Sequence, residues 1–184
     1  MSPPLFYYCN YFNFTTCYSS IKSLQIVINC IKDGNKIIVF GNGGSAADAQ
    51  HIAAELVGKF QKNRSSFPAI ALTTDSSILT SIGNDFSFES IFSRQCEGLA
   101  SKDDVVIGIS TSGNSQNVVN GLITSKKNGC KTIGFLGNNG GKIKDIVDVA
   151  VTVNSKSTPR IQEVHRTIFH IICDLAEQDL TNWR

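Results

Sequence analysis

Long apolar runs are missing from this chain of 184 residues: no stretch of about 18 uninterrupted apolar residues occurs, so no membrane-spanning helix is expected. A dominant charge is missing too. Seventeen basic side chains stand against fifteen acidic ones, a net charge of +2, and no five basic residues run together. The electrostatic footprint of a nucleic-acid-binding protein is therefore lacking. No C-x-x-C occurs among the six cysteines, Cys9, Cys17, Cys30, Cys96, Cys130 and Cys173, which removes zinc ribbons and thioredoxin-type chemistry. The start, MSPPLFYYCNYF, has neither a basic leading segment nor a clean apolar core, so it does not read as a secretion signal. Scattered single cysteines in such a chain read as reduced, mostly buried thiols, and the protein is expected in the cytoplasm. With 41% hydrophobic and 17% charged residues, the composition is globular rather than disordered, and the length suits one domain.

Charge is also absent from the first 21 residues, yet these hold Phe6, Tyr7, Tyr8, Tyr11, Phe12, Phe14 and Tyr18, seven of the chain's 16 aromatics. Residues 1–20 are expected to form an atypical aromatic segment that packs on a partner or on the domain, and residues 21–184 the domain itself. From Ser20, a plausible N-cap, Ile21, Leu24, Val27, Ile28 and Ile31 recur at helical spacing, and Gly34 stops the helix. Beyond it, continuous apolar runs alternate with helical patterns. Strands are predicted at 36–40, 69–73, 104–110, 131–137 and 148–154. Helices are predicted at about 45–59, 86–100, up to 128, briefly before the fifth strand, and over about 159–181. Five such alternations specify an open α/β/α sandwich with a central parallel five-stranded sheet. Ligands of such folds sit beyond the carboxyl ends of the strands, near the point where strand order reverses, which directs attention to the loops after the first and third strands.

The first of these loops, GNGGSAAD (41–48), joins a strand to a helix. Its glycines let main-chain N–H groups approach an anion at a helix N-terminus. It lacks the lysine of a Walker A loop and does not match G-x-G-x-x-G. The second, STSGNS (110–115), crowds Ser110, Thr111, Ser112 and Ser115 into one turn, with Ser115 placed to cap the next helix. Hydroxyls and free amides at a helix N-terminus make a phosphate cradle without lysine. His51 and Glu55, four apart, share one helix face and could hold a metal ion, although such pairs also arise by chance. Near the C-terminus Gln162 and His170 lie eight apart and about 80° off one line at 3.6 residues per turn, with His165 as a third candidate.

Together, GNGGSAADAQHIAAEL (41–56), AIALTTD (69–75), IGND (82–85), GISTSGNS (108–115) and RIQEVH (160–165) resemble the bacterial phosphoheptose isomerases, enzymes built on the sugar isomerase (SIS) domain. The resemblance runs from about residue 20 to the end. It implies a flavodoxin-like SIS domain assembled as a homotetramer with active sites between subunits. It implies that Ser110, Thr111, Ser112 and Ser115 hold the substrate phosphate, and that Asn42, Gly43, Gly44, Asn84 and Asp85 contact the sugar, as Glu55 and Gln162 do. His51, Glu55, Gln162 and His170 match the family's zinc positions, one Zn2+ per subunit, and Glu55 with His170 match its acid/base pair.

The implied reaction converts sedoheptulose 7-phosphate to D-glycero-D-manno-heptose 7-phosphate through a cis-enediol, supplying heptose for lipopolysaccharide or capsule. Such a reaction needs one group to move a carbon-bound proton and another to handle the oxygen protons, roles that suit a carboxylate and an imidazole. The implied partners are a sugar phosphate and further copies of the chain, not nucleic acid or membrane. Two alternatives stand beside this reading. One is a non-catalytic SIS protein that binds a replication initiator or senses a sugar phosphate. The other is a SIS enzyme acting on a different sugar phosphate.

Overall fold

Residues 14–182 are described by a computed structural model. Helix α1 (Phe14–Lys32) leads into strand β1 (Ile37–Gly41), and helix α2 (Gly44–Val57) follows the glycine turn. Strand β2 (Ala69–Ala71), helices α3 (Ser76–Asp85) and α4 (Ile91–Leu99), strand β3 (Val105–Ser110) and helix α5 (Gln116–Lys127) come next. Strand β4 (Lys131–Gly137), strand β5 (Val149–Val153) and the long helix α6 (Thr158–Asn182) complete the order. The strands form one parallel sheet ordered β2-β1-β3-β4-β5, as the alternating pattern predicts.

Why these segments are strands follows from burial on both faces. Every residue of β1 and β3 is buried, as is all of β4 after Lys131, which is the setting a continuous Ile/Val run needs. Successive side chains go to opposite layers. Ile37 and Val39 pack with Val27 and Ile28 of α1, Ile52 and Leu56 of α2, and Ile168 and Phe169 of α6. Ile38 and Phe40 pack with Phe92 of α4 and with Val118 and Leu122 of α5. The Phe40 and Phe92 rings stack with centroids 4.8 Å apart. Cys17, Cys30, Cys96, Cys130 and Cys173 are all buried, as expected. Burial pushes the thiols of Cys30 and Cys173 up to about 12 and those of Cys96 and Cys130 up to about 11, so they are inert hydrophobic filling. Cys9 lies outside the described residues.

Three local expectations are corrected. Ser20 is not a cap: α1 starts at Phe14, and the Ser20 hydroxyl donates to the Thr16 carbonyl at 2.8 Å inside the helix. The predicted 86–100 helix is a single 3₁₀ turn (Phe88–Ser90) followed by α4. Before it lies α3, absent from the sequence reading, capped by the Asp75 carboxylate accepting from the Ile78 N–H at 2.9 Å. Its inward side is shallow: Leu79 and Ile82 pack partly buried against the second layer, and no residue of α3 is fully buried. Of the seven early aromatics, Phe14 and Tyr18 are exposed on α1. Phe6, Tyr7, Tyr8, Tyr11 and Phe12 lie outside the described residues.

Candidate active site

From β1 the chain turns toward β2 on one side, while β3 pairs with β1 on the other, in register from Ile37↔Val105 to Gly41↔Ile109. The loops after β1 and β3 thus leave adjacent carboxyl ends at the reversal of strand order. The first turns on Gly43, whose φ of 55° is left-handed and suits glycine. The two loops are joined by a reciprocal amide pair: each of Asn42 and Asn117 donates its Nδ2–H to the other's Oδ1 at 2.9 Å. Asn42 was expected to contact sugar. Its partner Asn117, also buried, was missed, because an asparagine inside a helix start carries no spacing signal.

In the second loop three of the four hydroxyls, those of Ser110, Ser112 and Ser115, converge. Ser110 Oγ lies 3.1 Å from Ser115 Oγ and 3.4 Å from Ser112 Oγ. Ser112 Oγ also accepts the Asn114 N–H at 3.1 Å. Ser115 occupies the N-cap position of α5, but its hydroxyl makes no capping bond; it faces Ser110 instead. A third loop, after β4, braces this one. Asn138 Nδ2 donates to the Thr111 carbonyl at 3.0 Å, and the Ile143 N–H donates to the Gly113 carbonyl at 3.0 Å. The Lys142 N–H donates to Asn114 Oδ1 at 3.0 Å. A Cβ on Gly113, where φ is 68°, would lie 2.1 Å from the Gly140 carbonyl oxygen.

Helices α2 and α6 lie side by side in the same layer and run in the same direction. Gly44 abuts the Gln162 amide. One turn on, Arg166 Nη2 bonds the buried Asp48 carboxylate at 2.8 Å. A further turn on, His51 meets His170. His51 Nε2 lies 2.9 Å from Glu55 Oε1 and 3.4 Å from His170 Nε2. One ligand atom from each of His51, Glu55 and His170 falls within 4.8 Å of the others. Three of the four zinc ligands that the resemblance implies thus come together. Gln162 is half-buried at the opposite end of the shared face, beside the glycine turn. Asp48 and Arg166 were missed, although each is three or four residues before a site histidine.

Two imidazoles and one carboxylate, all half-buried, form a donor set that fits zinc. Burial lowers the proton affinity of His170; His51 beside it acts in the same direction, and Glu55 opposes it. The net effect favours the neutral form of the ring. Aromatic walls fix it: the Phe169 centroid lies 4.8 Å and the Phe60 centroid 5.6 Å from that of His170. His165 does not join the cluster. It is buried against the sheet, where Nε2–H donates to the Leu136 carbonyl at 3.0 Å. Asn84 and Asp85 close the exposed end of α3 and bond to each other at 2.8 Å.

A parallel sheet in this strand order, a hydroxyl-lined loop at its reversal point and a His/Glu/His cluster on the adjoining helices define a sugar-phosphate isomerase domain. The profile of the SIS domain family matches residues 19–137. The chain is 58% identical over 156 residues to the phosphoheptose isomerase of Geobacter sulfurreducens, covering 85% of this chain and 82% of that one. It is 61% identical over 153 residues to that of Nitratiruptor sp., with 83% and 82% covered. The solved phosphoheptose isomerase of Neisseria gonorrhoeae superposes with a TM-score of 0.83 at 40% identity, covering 88% of this chain and 86% of that one. The chain belongs to the phosphoheptose isomerase family of SIS-domain proteins. It is accordingly an enzyme of the aldose-ketose isomerase class, rather than the non-catalytic SIS protein held as the alternative.

Proposed function

We propose that the enzyme interconverts sedoheptulose 7-phosphate and D-glycero-D-manno-heptose 7-phosphate through a cis-enediol. The observation that carries this reading is the meeting of Glu55 and His170 around His51, from helices far apart in sequence, in a chain 58% identical to a phosphoheptose isomerase over most of its length.

The hydroxyls of Ser110, Thr111, Ser112 and Ser115 hold the phosphate at the start of α5, where helix amides favour an anion. Asn42, Gly43, Gly44 and Gln162, grouped at the start of α2, bind the sugar chain, joined by Asn84 and Asp85. Glu55 takes the proton from C1 of the ketose while the C2 oxygen gains one through His170. His170 then carries the O1 proton away as Glu55 returns a proton to C2. Zinc, one ion per subunit, would be held by His51, Glu55 and His170; Gln162, two turns from His170 and beside Gly44, is left to the sugar. When bound, it supplies Lewis-acid stabilisation of charge on the sugar oxygens.

The active form is a homotetramer with sites shared between subunits. Supporting this, α3 buries none of its residues fully in the single chain, and Ile78, Phe86 and Phe88 around it are exposed, the two phenylalanines by 60% and 63%. Apolar surface of this kind marks an interface. The setting is the cytoplasm, and the product feeds heptose of lipopolysaccharide or capsule.

The test is turnover of sedoheptulose 7-phosphate by purified protein, with zinc and with chelator, alongside size-exclusion chromatography. Turnover that falls with chelator is expected from a tetramer. A folded tetramer without turnover overturns the substrate assignment, and full turnover in chelator removes the zinc.

A further inference from the structure

Arg64 and Glu177 form an ion pair, Nε to Oε1 2.8 Å, whose side chains are only 4% and 1% exposed. Neither takes part in the chemistry above, yet both hold main chain next to it. Arg64 Nη1 donates to the Leu56 and Ser65 carbonyls at 3.0 Å each, and Nη2 donates to the Glu55 carbonyl at 2.8 Å. The guanidinium thereby closes the last turn of α2, whose carbonyls have no helical partner of their own. Glu177 gathers the loop that follows. Its Oε1 accepts the Phe60 N–H at 3.0 Å, and its Oε2 accepts the Gln61 and Lys62 N–H groups at 2.7 and 2.6 Å. Phe60, so held, lays its ring 5.6 Å from the ring of His170. Glu177 stands seven residues after His170 on α6, two turns along nearly the same face.

We propose that Arg64 and Glu177 are positioning residues that set Glu55 and His170 at reacting distance. Arg64 acts through the main chain of Glu55, and Glu177 through the seat of Phe60. The inference rests on the acid/base reading of those two side chains. Only arginine offers a planar fork to several carbonyls and a carboxylate at once, so Arg64→Lys keeps the charge while giving up the geometry.

The experiment measures kcat and KM for sedoheptulose 7-phosphate in Arg64→Lys and Glu177→Gln, each alone and combined with Glu55→Gln. It also follows the ring resonances of His170 in substrate-free protein; the chain has only three histidines. A displacement near 1 Å at reacting groups costs about 100-fold, so a kcat loss of about 10- to 100-fold with KM within about threefold is expected. In the Glu55→Gln background the same substitutions should cost less than about threefold, because the group they position is gone. The His170 resonances should move in Glu177→Gln. An equal loss in both backgrounds, or a folded variant with native kcat, overturns the proposal. Should native protein show no turnover, the acid/base reading fails instead, and unmoved His170 resonances then overturn positioning by themselves. If Glu177→Gln does not fold, Arg64→Lys carries both measurements.

Discussion

Replacing Glu55 by glutamine removes the proposed base, and with it the anionic ligand proposed for zinc, while keeping the side chain's shape. The amide is isosteric with the carboxylate, and its oxygen can still accept from His51 Nε2, now 2.9 Å from Oε1. The contact being replaced is part-exposed, with side chains 36% and 22% accessible, so its loss costs at most about 1 kcal/mol after solvent screening. For a chain of this size that corresponds to a midpoint change of about 2–4 °C. Catalysis is affected on a different scale. General-base transfer contributes about 10²- to 10⁴-fold, or roughly 3–5 kcal/mol of barrier. The expected outcome is therefore kcat down by at least about 100-fold in a protein that melts within a few degrees of the native one. Two assays check it: turnover of the ketose phosphate, and exchange of its C1 proton with deuterated solvent, which reports the proton abstraction alone. A variant retaining kcat within about threefold of native, or exchanging C1 at the native rate, would refute the assignment of Glu55 as the base.

Three further outcomes follow from the same structure. Ser112→Ala should mainly raise KM, because phosphate is held alike in ground and transition states; a loss confined to kcat, read from full saturation curves, would contradict the cradle. Gly113→Ala should destabilise the protein by at least about 1–2 kcal/mol from its left-handed φ alone, and raise KM further as the new Cβ displaces the Gly140 carbonyl against the hydroxyl loop; urea unfolding and saturation kinetics measure the two effects. Acid should weaken the fold in two stages. Burial holds the His165 proton affinity below its ordinary value of 6.5, with the Leu136 bond opposing. The unfolded chain therefore takes that proton first, and stability declines as pH falls below about 6.5, by no more than about 1.4 kcal/mol per pH unit for this one group. Burial alone would raise Glu177, but the N–H groups of Lys62, Gln61 and Phe60, with Arg64, hold it below its ordinary 4.5. Its contribution is lost only as pH falls through that depressed value. Urea midpoints between pH 7.5 and 3 should show both stages, and His165→Gln should flatten the first; an unchanged first stage would contradict the burial argument.

Much was legible in the residues themselves because it depends on near neighbours. Continuous Ile and Val runs can be buried only on both faces of a parallel sheet, so the five strands and their order of alternation with helices were readable. His51 and Glu55 share a face because four residues make about one turn. The hydroxyl-rich turn after β3 was readable as well, and three of its four hydroxyls meet. What failed locally also has a local cause: α3 is short and buries Leu79 and Ile82 only in part, and Ser20, a good cap by type, lies where α1 has already run for six residues and bonds back into it.

The resemblance to known isomerases supplied the partnership of His51 with His170, but nothing in spacing could, since 119 residues separate them. The same holds for Arg64 with Glu177, 113 apart, and Asn42 with Asn117, 75 apart. Strand order decides these pairs: by placing β3 beside β1 and laying α6 along α2, the sheet turns remote helix faces into neighbours. Sequence by itself determined the alternation of strands and helices and on which kind of element each candidate side chain sits. Only the tertiary structure decided which of them meet, because side-chain reach is a few ångströms and that distance is set by packing, not by position along the chain.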